Sequence, residues 1–140
     1  MPTVFEKLNL KDQNEILILN APSSFGRELN KLKGVTIQRD AKKLTSVDFA
    51  LAFVVKQAEV DSAAKTLAEK MKGDAILWFA YPKGTSKRYK CEFNRDNGWD
   101  VIRAAGFDTV RAVAIDEDWS ALRFRRNEFI HGGTGSQRKK

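Results

Sequence analysis

The chain of 140 residues holds one cysteine, one histidine and three prolines, and each scarcity removes a class of function. A lone Cys91 closes no internal disulfide and fits a reducing compartment. It lies between Lys90 and Glu92 with no base beside it, so it reads as a structural residue rather than a nucleophile. His131 stands at the start of the Gly-rich run that ends the sequence. It leaves no second imidazole for a metal site and no base for a Ser-His-acid triad on the folded body. No run approaches the ~18–20 consecutive apolar residues of a membrane span, so no membrane association is expected. Met1 to Leu10 carries no apolar stretch behind basic residues; no secretory signal is expected, and the cytoplasm is the expected location.

Apolar material is nonetheless ample. Hydrophobic residues make up 42% of the chain, with nine Phe and three Trp, enough for one core in one domain. The expected organisation is a single domain over residues 1–130 and a flexible basic tail over 131–140. The formal net charge is +7 and unevenly spread. Residues 1–80 hold 12 basic and 10 acidic residues (+2), residues 81–140 hold 13 and 8 (+5). Such a bias favours phosphate-rich partners without selecting one. It is densest at Lys87-Arg88-Tyr89-Lys90 and at Arg138-Lys139-Lys140, which read first as a solvated loop and a frayed end and only second as nucleic-acid contacts.

Strand and helix signals alternate. Glu15–Leu19 is a short apolar run of the kind covered on both faces. Pro22 breaks it, and Ser23 or Ser24 can cap a helix carrying Phe25, Leu29 and Leu32, stopped at Gly34. Val35–Gln38 reads as a brief strand and the apolar block Val47–Val55 as a central one. Val60, Ala63, Ala64, Leu67 and Met71 recur at helical spacing before Gly73. Ala75–Ala80 is a further buried strand, ended by Tyr81-Pro82-Lys83-Gly84. Asn94 is expected to cap a helix holding Trp99, Ile102 and Ala105. Thr109–Ile115, a turn over Asp116–Ser120 and the alternating Ala121–Arg125 make a final antiparallel hairpin.

This order predicts an α/β fold: a mostly parallel sheet of about six strands with a C-terminal antiparallel hairpin. Only Arg39–Ser46 joins the second strand to the third. Those residues reach roughly 26–29 Å fully extended, too little for a crossover helix of about a dozen residues. The sheet is therefore a reduced Rossmann-like one with a helix missing, and its strand order should reverse between the first strand and Val47–Val55.

From Leu44 to Arg126 the sequence resembles the second half of class I S-adenosylmethionine-dependent methyltransferases. The helix Val60–Met71 running into Gly73-Asp-Ala-Ile-Leu-Trp-Phe79, and the run Ala104-Ala-Gly-Phe-Asp-Thr-Val110, carry that likeness. The chain also resembles a bacterial family of uncharacterised Rossmann-like proteins. That likeness rests on Ile18-Leu-Asn-Ala-Pro22 with Phe25, Trp78-Phe-Ala-Tyr-Pro-Lys83 and Asp116-Glu-Asp-Trp-Ser-Ala-Leu-Arg-Phe124. Both imply the fold; neither implies an activity. Where methyltransferases have an acidic residue and a glycine-rich loop, this chain has Asn20-Ala-Pro-Ser-Ser-Phe-Gly26. S-adenosylmethionine is therefore not expected as a cofactor, and no other cofactor or metal is expected.

Candidate ligand residues follow from position. Open α/β sheets bind ligands beyond the carboxyl ends of their strands, at the reversal of strand order. The loops there contain Asn20, Ser23, Ser24, Arg39, Asp40, Lys56, Gln57 and Lys83. Asp40 stands where dinucleotide folds place a ribose-binding acid, 20 residues after Asn20. Ser23, Ser24 and the helix start near Phe25 make an anion site, and Lys83 adds charge or merely turns the chain. Asp116, Glu117 and Asp118 read as turn residues before a hard-cation site, and Trp119 as a plug over the core.

Three functions are consistent with these residues. The leading reading is a non-enzymatic module that binds a small anionic ligand or a protein partner. The second is nucleic-acid binding through Lys87, Arg88 and Lys90, with Arg123, Arg125 and the tail. The third is a divergent methyltransferase, which the missing glycine-rich loop and the lack of a convergent acid–base group disfavour.

Overall fold

The computed structural model describes residues 4–8, 10, 13–32, 34–71, 73–83 and 98–131, with the backbone alone for Ser24 and His131. Lys87, Arg88, Lys90, Cys91, Asn94 and the tail from residue 132 onward lie outside the described residues. Six strands form one sheet: β1 (Glu15–Leu19), β2 (Thr36–Gln38), β3 (Phe49–Phe53), β4 (Ile76–Pro82), β5 (Phe107–Ala114) and β6 (Trp119–Arg126). Their order is β2-β1-β3-β4-β6-β5. The first four run parallel, and β6 pairs antiparallel with both β4 and β5. The chain leaves β1 for β2 on one side and returns to β3 on the other, so the order reverses between β1 and β3, and the short connection is long enough to cross β1.

Strands β3 and β4 are buried along their whole length. Their unbroken apolar runs suit a sheet covered on both faces. Alternation then divides the core in two. Leu17, Ala50, Ala52, Leu77, Phe79, Leu122 and Phe124 face α3 (Gln57–Lys70) and α4 (Asp100–Ala104). Ile16, Ile18, Phe49, Leu51, Phe53, Trp78 and Ala121 face the other way. There they meet α1 (Val4–Lys7), a 3-10 turn at Ser23–Phe25 and α2 (Gly26–Asn30). The residues expected in the core, Leu51, Phe53, Leu67, Trp78 and Phe79, are all at most 1% exposed. A last short helix, α5 (Asn127–His131), continues directly from β6. No helix among the described residues is long and apolar enough to cross a membrane.

Several boundaries differ from the sequence reading. Between β2 and β3 the chain makes one 3-10 turn, Ala41–Lys43, where no helix at all was expected. A three-residue turn rises only about 6 Å at ~2.0 Å per residue and leaves the rest of the segment to span the sheet. Trp99 precedes α4 as its N-cap, with φ −108° and ψ 19°, rather than lying within it. Trp119 and Ser120 belong to β6 and not to the turn, because they continue its pairing with Pro82 and Tyr81. His131 closes α5 instead of opening a coil.

Candidate functional site

Strand β1 ends at Leu19, and Asn20 follows with φ 58°, the one non-glycine residue in the left-handed region among those described. Asparagine tolerates this conformation better than most side chains. Its Nδ2 donates to the Phe53 carbonyl at 3.4 Å, bridging the ends of β1 and β3. At the end of β2, Asp40 is the N-cap of the 3-10 turn, and its Oδ1 accepts from the Lys42 N–H at 3.0 Å. Beyond β3, Glu59 folds back over the start of α3; its Oε1 accepts from the N–H groups of Val55 (2.8 Å) and Lys56 (2.9 Å).

These three strand ends and α3 enclose a cleft of about 450 Å³. Its apolar walls are Leu19, Ala41, Ala58 and Ala63; Asn20, Arg39, Asp40, Lys42, Glu59, Ser62 and Thr66 supply the polar groups. The two carboxylates each already accept backbone N–H bonds. Arg39 and Lys42 are exposed, and their side chains have no hydrogen-bond or ion-pair partner among the described residues. The cleft therefore offers two uncommitted cations, one carboxylate oxygen of Asp40 that caps nothing, and two hydroxyls spaced one turn apart on α3.

The structure brings Asn20, Arg39 and Asp40 together and leaves Ser23 and Lys83 elsewhere. Ser23 and Ser24 lie in the 3-10 turn, and Ser23 does not line the cleft. In that turn the Phe25 N–H donates to the Pro22 carbonyl (2.9 Å) and the Gly26 N–H to Ser23. Phe25 is buried, its ring 4.9 Å from that of Phe53. Lys83 follows β4 and donates its backbone N–H to Asp118 (2.8 Å), also away from the cleft. Lys42, Ser62 and Thr66 were not singled out from the sequence. The spacing of Ala58, Ser62 and Thr66 by four marks a polar edge beside the buried stripe of α3, and that is the signal by which they are found.

The acidic turn is accounted for locally. Asp116 Oδ1 accepts from the N–H groups of Asp118 (2.8 Å) and Trp119 (2.9 Å). Trp119 is 3% exposed and packs edge-on against Phe53 with ring centroids 5.0 Å apart. Among the described residues no three His, Cys, Asp or Glu side chains are grouped as a metal site.

No family model matches the chain, and no curated protein matches it. Solved structures do. A SAM-dependent methyltransferase from Aquifex aeolicus aligns over 86% of this chain and 86% of its own, with 14% identity and a TM-score of 0.60. The Methanococcus jannaschii fibrillarin pre-rRNA processing protein aligns over 83% of this chain and 67% of its own, with 13% identity and a TM-score of 0.53. The N-methyltransferase NodS from Bradyrhizobium japonicum, solved with S-adenosyl-L-homocysteine, aligns over 83% and 79%, with 13% identity and a TM-score of 0.51. The chain has the Rossmann-like fold of class I methyltransferases. Identities this low concern the fold alone.

Proposed function

We propose that the protein is a non-catalytic Rossmann-like module that binds a small anionic ligand in the cleft between the ends of β1 and β2 and helix α3. The observation that carries this reading is the pair Arg39 and Lys42, two exposed cations without side-chain partners among the described residues, lining a cleft at the strand-order reversal. Sites at that position receive nucleotides in many open α/β sheets, and 450 Å³ is within the range of small-molecule pockets. A nucleoside phosphate suits the groups present. Its phosphate meets Arg39 and Lys42, a ribose hydroxyl meets the free oxygen of Asp40, and the base lies on the alanine wall.

S-adenosylmethionine held in the methyltransferase manner does not fit these residues. Glycines in that family let backbone approach the cofactor after the first strand. Here Pro22 has no N–H to offer, and those of Phe25 and Gly26 are spent within the turn. The cleft also lacks a base poised on a nucleophile: the hydroxyls of Ser62 and Thr66 have no hydrogen-bonded partner among the described residues.

A thermal-shift screen against adenosine monophosphate, adenosine diphosphate, inorganic phosphate and S-adenosylmethionine tests the reading. A nucleotide at 100 times its dissociation constant adds about 2.7 kcal/mol of stability, and Arg39→Ala with Lys42→Ala should abolish that gain. Stabilisation by S-adenosylmethionine alone, unchanged in the double variant, would reverse it in favour of a methyltransferase.

A further inference from the structure

The hairpin of β5 and β6 has two unlike faces. Leu122 and Phe124 enter the core beneath α3 and α4, whereas Trp119 and Ala121 join the opposite cluster. Alternation sends Arg123 and Arg125 to that second face. Arg111 joins them through an irregularity in pairing. Thr109 lies opposite Phe124, yet Arg111 lies opposite Arg123, one extra residue having been inserted between them. Without this bulge Arg111 would face the same way as Thr109; with it, the side chain is turned to the other face. Trp78, Arg123 and Arg111 thus form one row across β4, β6 and β5.

The arginines of the hairpin fare differently. Arg125 donates from Nε and Nη2 to both carboxylate oxygens of Asp74, at 2.8 and 2.6 Å. Arg126, on the opposite face, donates to the carbonyls of Ala68 and Met71 and stacks over Phe107. Arg111 and Arg123 have no such partner among the described residues. The Nε of Arg123 is buried without an acceptor, which leaves a desolvated donor unpaid. Like charges directly opposite in a sheet repel. Burial disfavours the Arg123 cation most, and Arg125 and Arg111 add to this against an opposing pull from Asp74. The fold keeps an electrostatic conflict here that an anion would relieve.

We propose that Arg111 and Arg123 form a phosphate site, separate from the cleft, that takes one backbone phosphate of a single-stranded nucleic acid laid along the exposed edge of the hairpin at Arg111. A tetrahedral phosphate offers oxygens to both guanidinium forks at once, whereas one carboxylate is consumed by a single fork, as Asp74 is by Arg125. A nucleic acid is favoured as its source because Arg111 is exposed on the edge strand β5, and 13 basic against 8 acidic residues surround it in sequence over residues 81–140. A strand of phosphates exploits that field as a single anion cannot.

The experiment is a fluorescence titration of the full chain with a short labelled oligouridine across a series of salt concentrations. Arg111→Ala and Arg123→Lys are compared with wild type and with Arg39→Ala in the cleft. Each hairpin variant should bind several-fold more weakly, and Arg111→Ala should flatten the slope of log affinity on log salt by about 0.7, the loss of one single-strand phosphate. Arg39→Ala should leave both unchanged, which separates this site from the cleft. Arg111 is exposed on the edge strand, so its variant carries the test if Arg123→Lys unfolds. Absence of wild-type binding, an unchanged slope in Arg111→Ala, or inorganic phosphate displacing the oligonucleotide at equal phosphate concentration would each overturn the proposal.

Discussion

The indole N–H of Trp78 donates a 2.8 Å hydrogen bond to the carbonyl of Leu8, 70 residues earlier in the chain, and both residues are fully buried. This bond fastens the one-turn helix α1 onto the central strand β4, where Phe5 also packs against Phe25 and Phe49. Trp78→Phe keeps an aromatic ring but leaves the Leu8 carbonyl buried without its donor. The expected cost is about 1–3 kcal/mol in urea denaturation, with residues 4–8 losing amide-exchange protection first.

Helix α3 is held to the sheet by Val60, Ala63, Ala64 and Leu67, with Leu67 fully buried. Leu67→Ala should cost about 2–5 kcal/mol from lost transfer energy and the cavity left behind. A change below about 0.5 kcal/mol in chemical denaturation would contradict the packing of α3 described above, given that range for buried leucines.

The parts of the fold read well from sequence were those where burial leaves a one-dimensional trace. Glu15–Leu19, Phe49–Phe53 and Ile76–Ala80 are apolar runs of the kind a doubly covered strand leaves, and the eight residues from Arg39 to Ser46 left no room for a crossover helix between β2 and β3. Helices α1 and α5 left too short a pattern, since one turn shows no periodicity. The cleft was half legible. Asn20, Arg39 and Asp40 follow from strand ends, but Lys42 matters because nothing among the described residues pairs with its side chain, and a missing partner has no sequence signal. Arg111 was hidden by the bulge after Thr109, since counting by twos assigns it to the wrong face.

Asp74 should make stability pH-dependent at the acid end. Its carboxyl is held below the ordinary 3.8, first by the hydrogen bond from Arg125, against an opposing effect of burial and with further help from the charges of Arg125 and Arg123. A lowered folded-state value means the stabilisation is present above the unfolded value and is lost as pH falls through the folded one. The Asp74–Arg125 pair is about one-third exposed at each side chain (36% and 35%), so screening limits it to about 0.2–1 kcal/mol. Asp74→Asn should lower stability by that amount at neutral pH and converge with wild type below pH 3.8. A constant difference across that range in acid denaturation would exclude this origin.

The left-handed Asn20 gives a test of the cleft's backbone. With φ 58°, Asn20→Ala should cost about 1–2 kcal/mol in strain, whereas Asn20→Gly should be close to neutral. Equal losses in both variants would place the residue's importance in its bond to the Phe53 carbonyl instead.

The most direct measurement of the cleft's role is two-dimensional amide NMR of the labelled chain titrated with adenosine monophosphate. Saturable shifts should gather at Asn20, Arg39 to Lys42 and Ala58 to Thr66, and vanish in the Arg39→Ala, Lys42→Ala variant. Shifts gathered instead at Ser23 to Gly26, or unchanged in that variant, would contradict a ligand site built on these two cations.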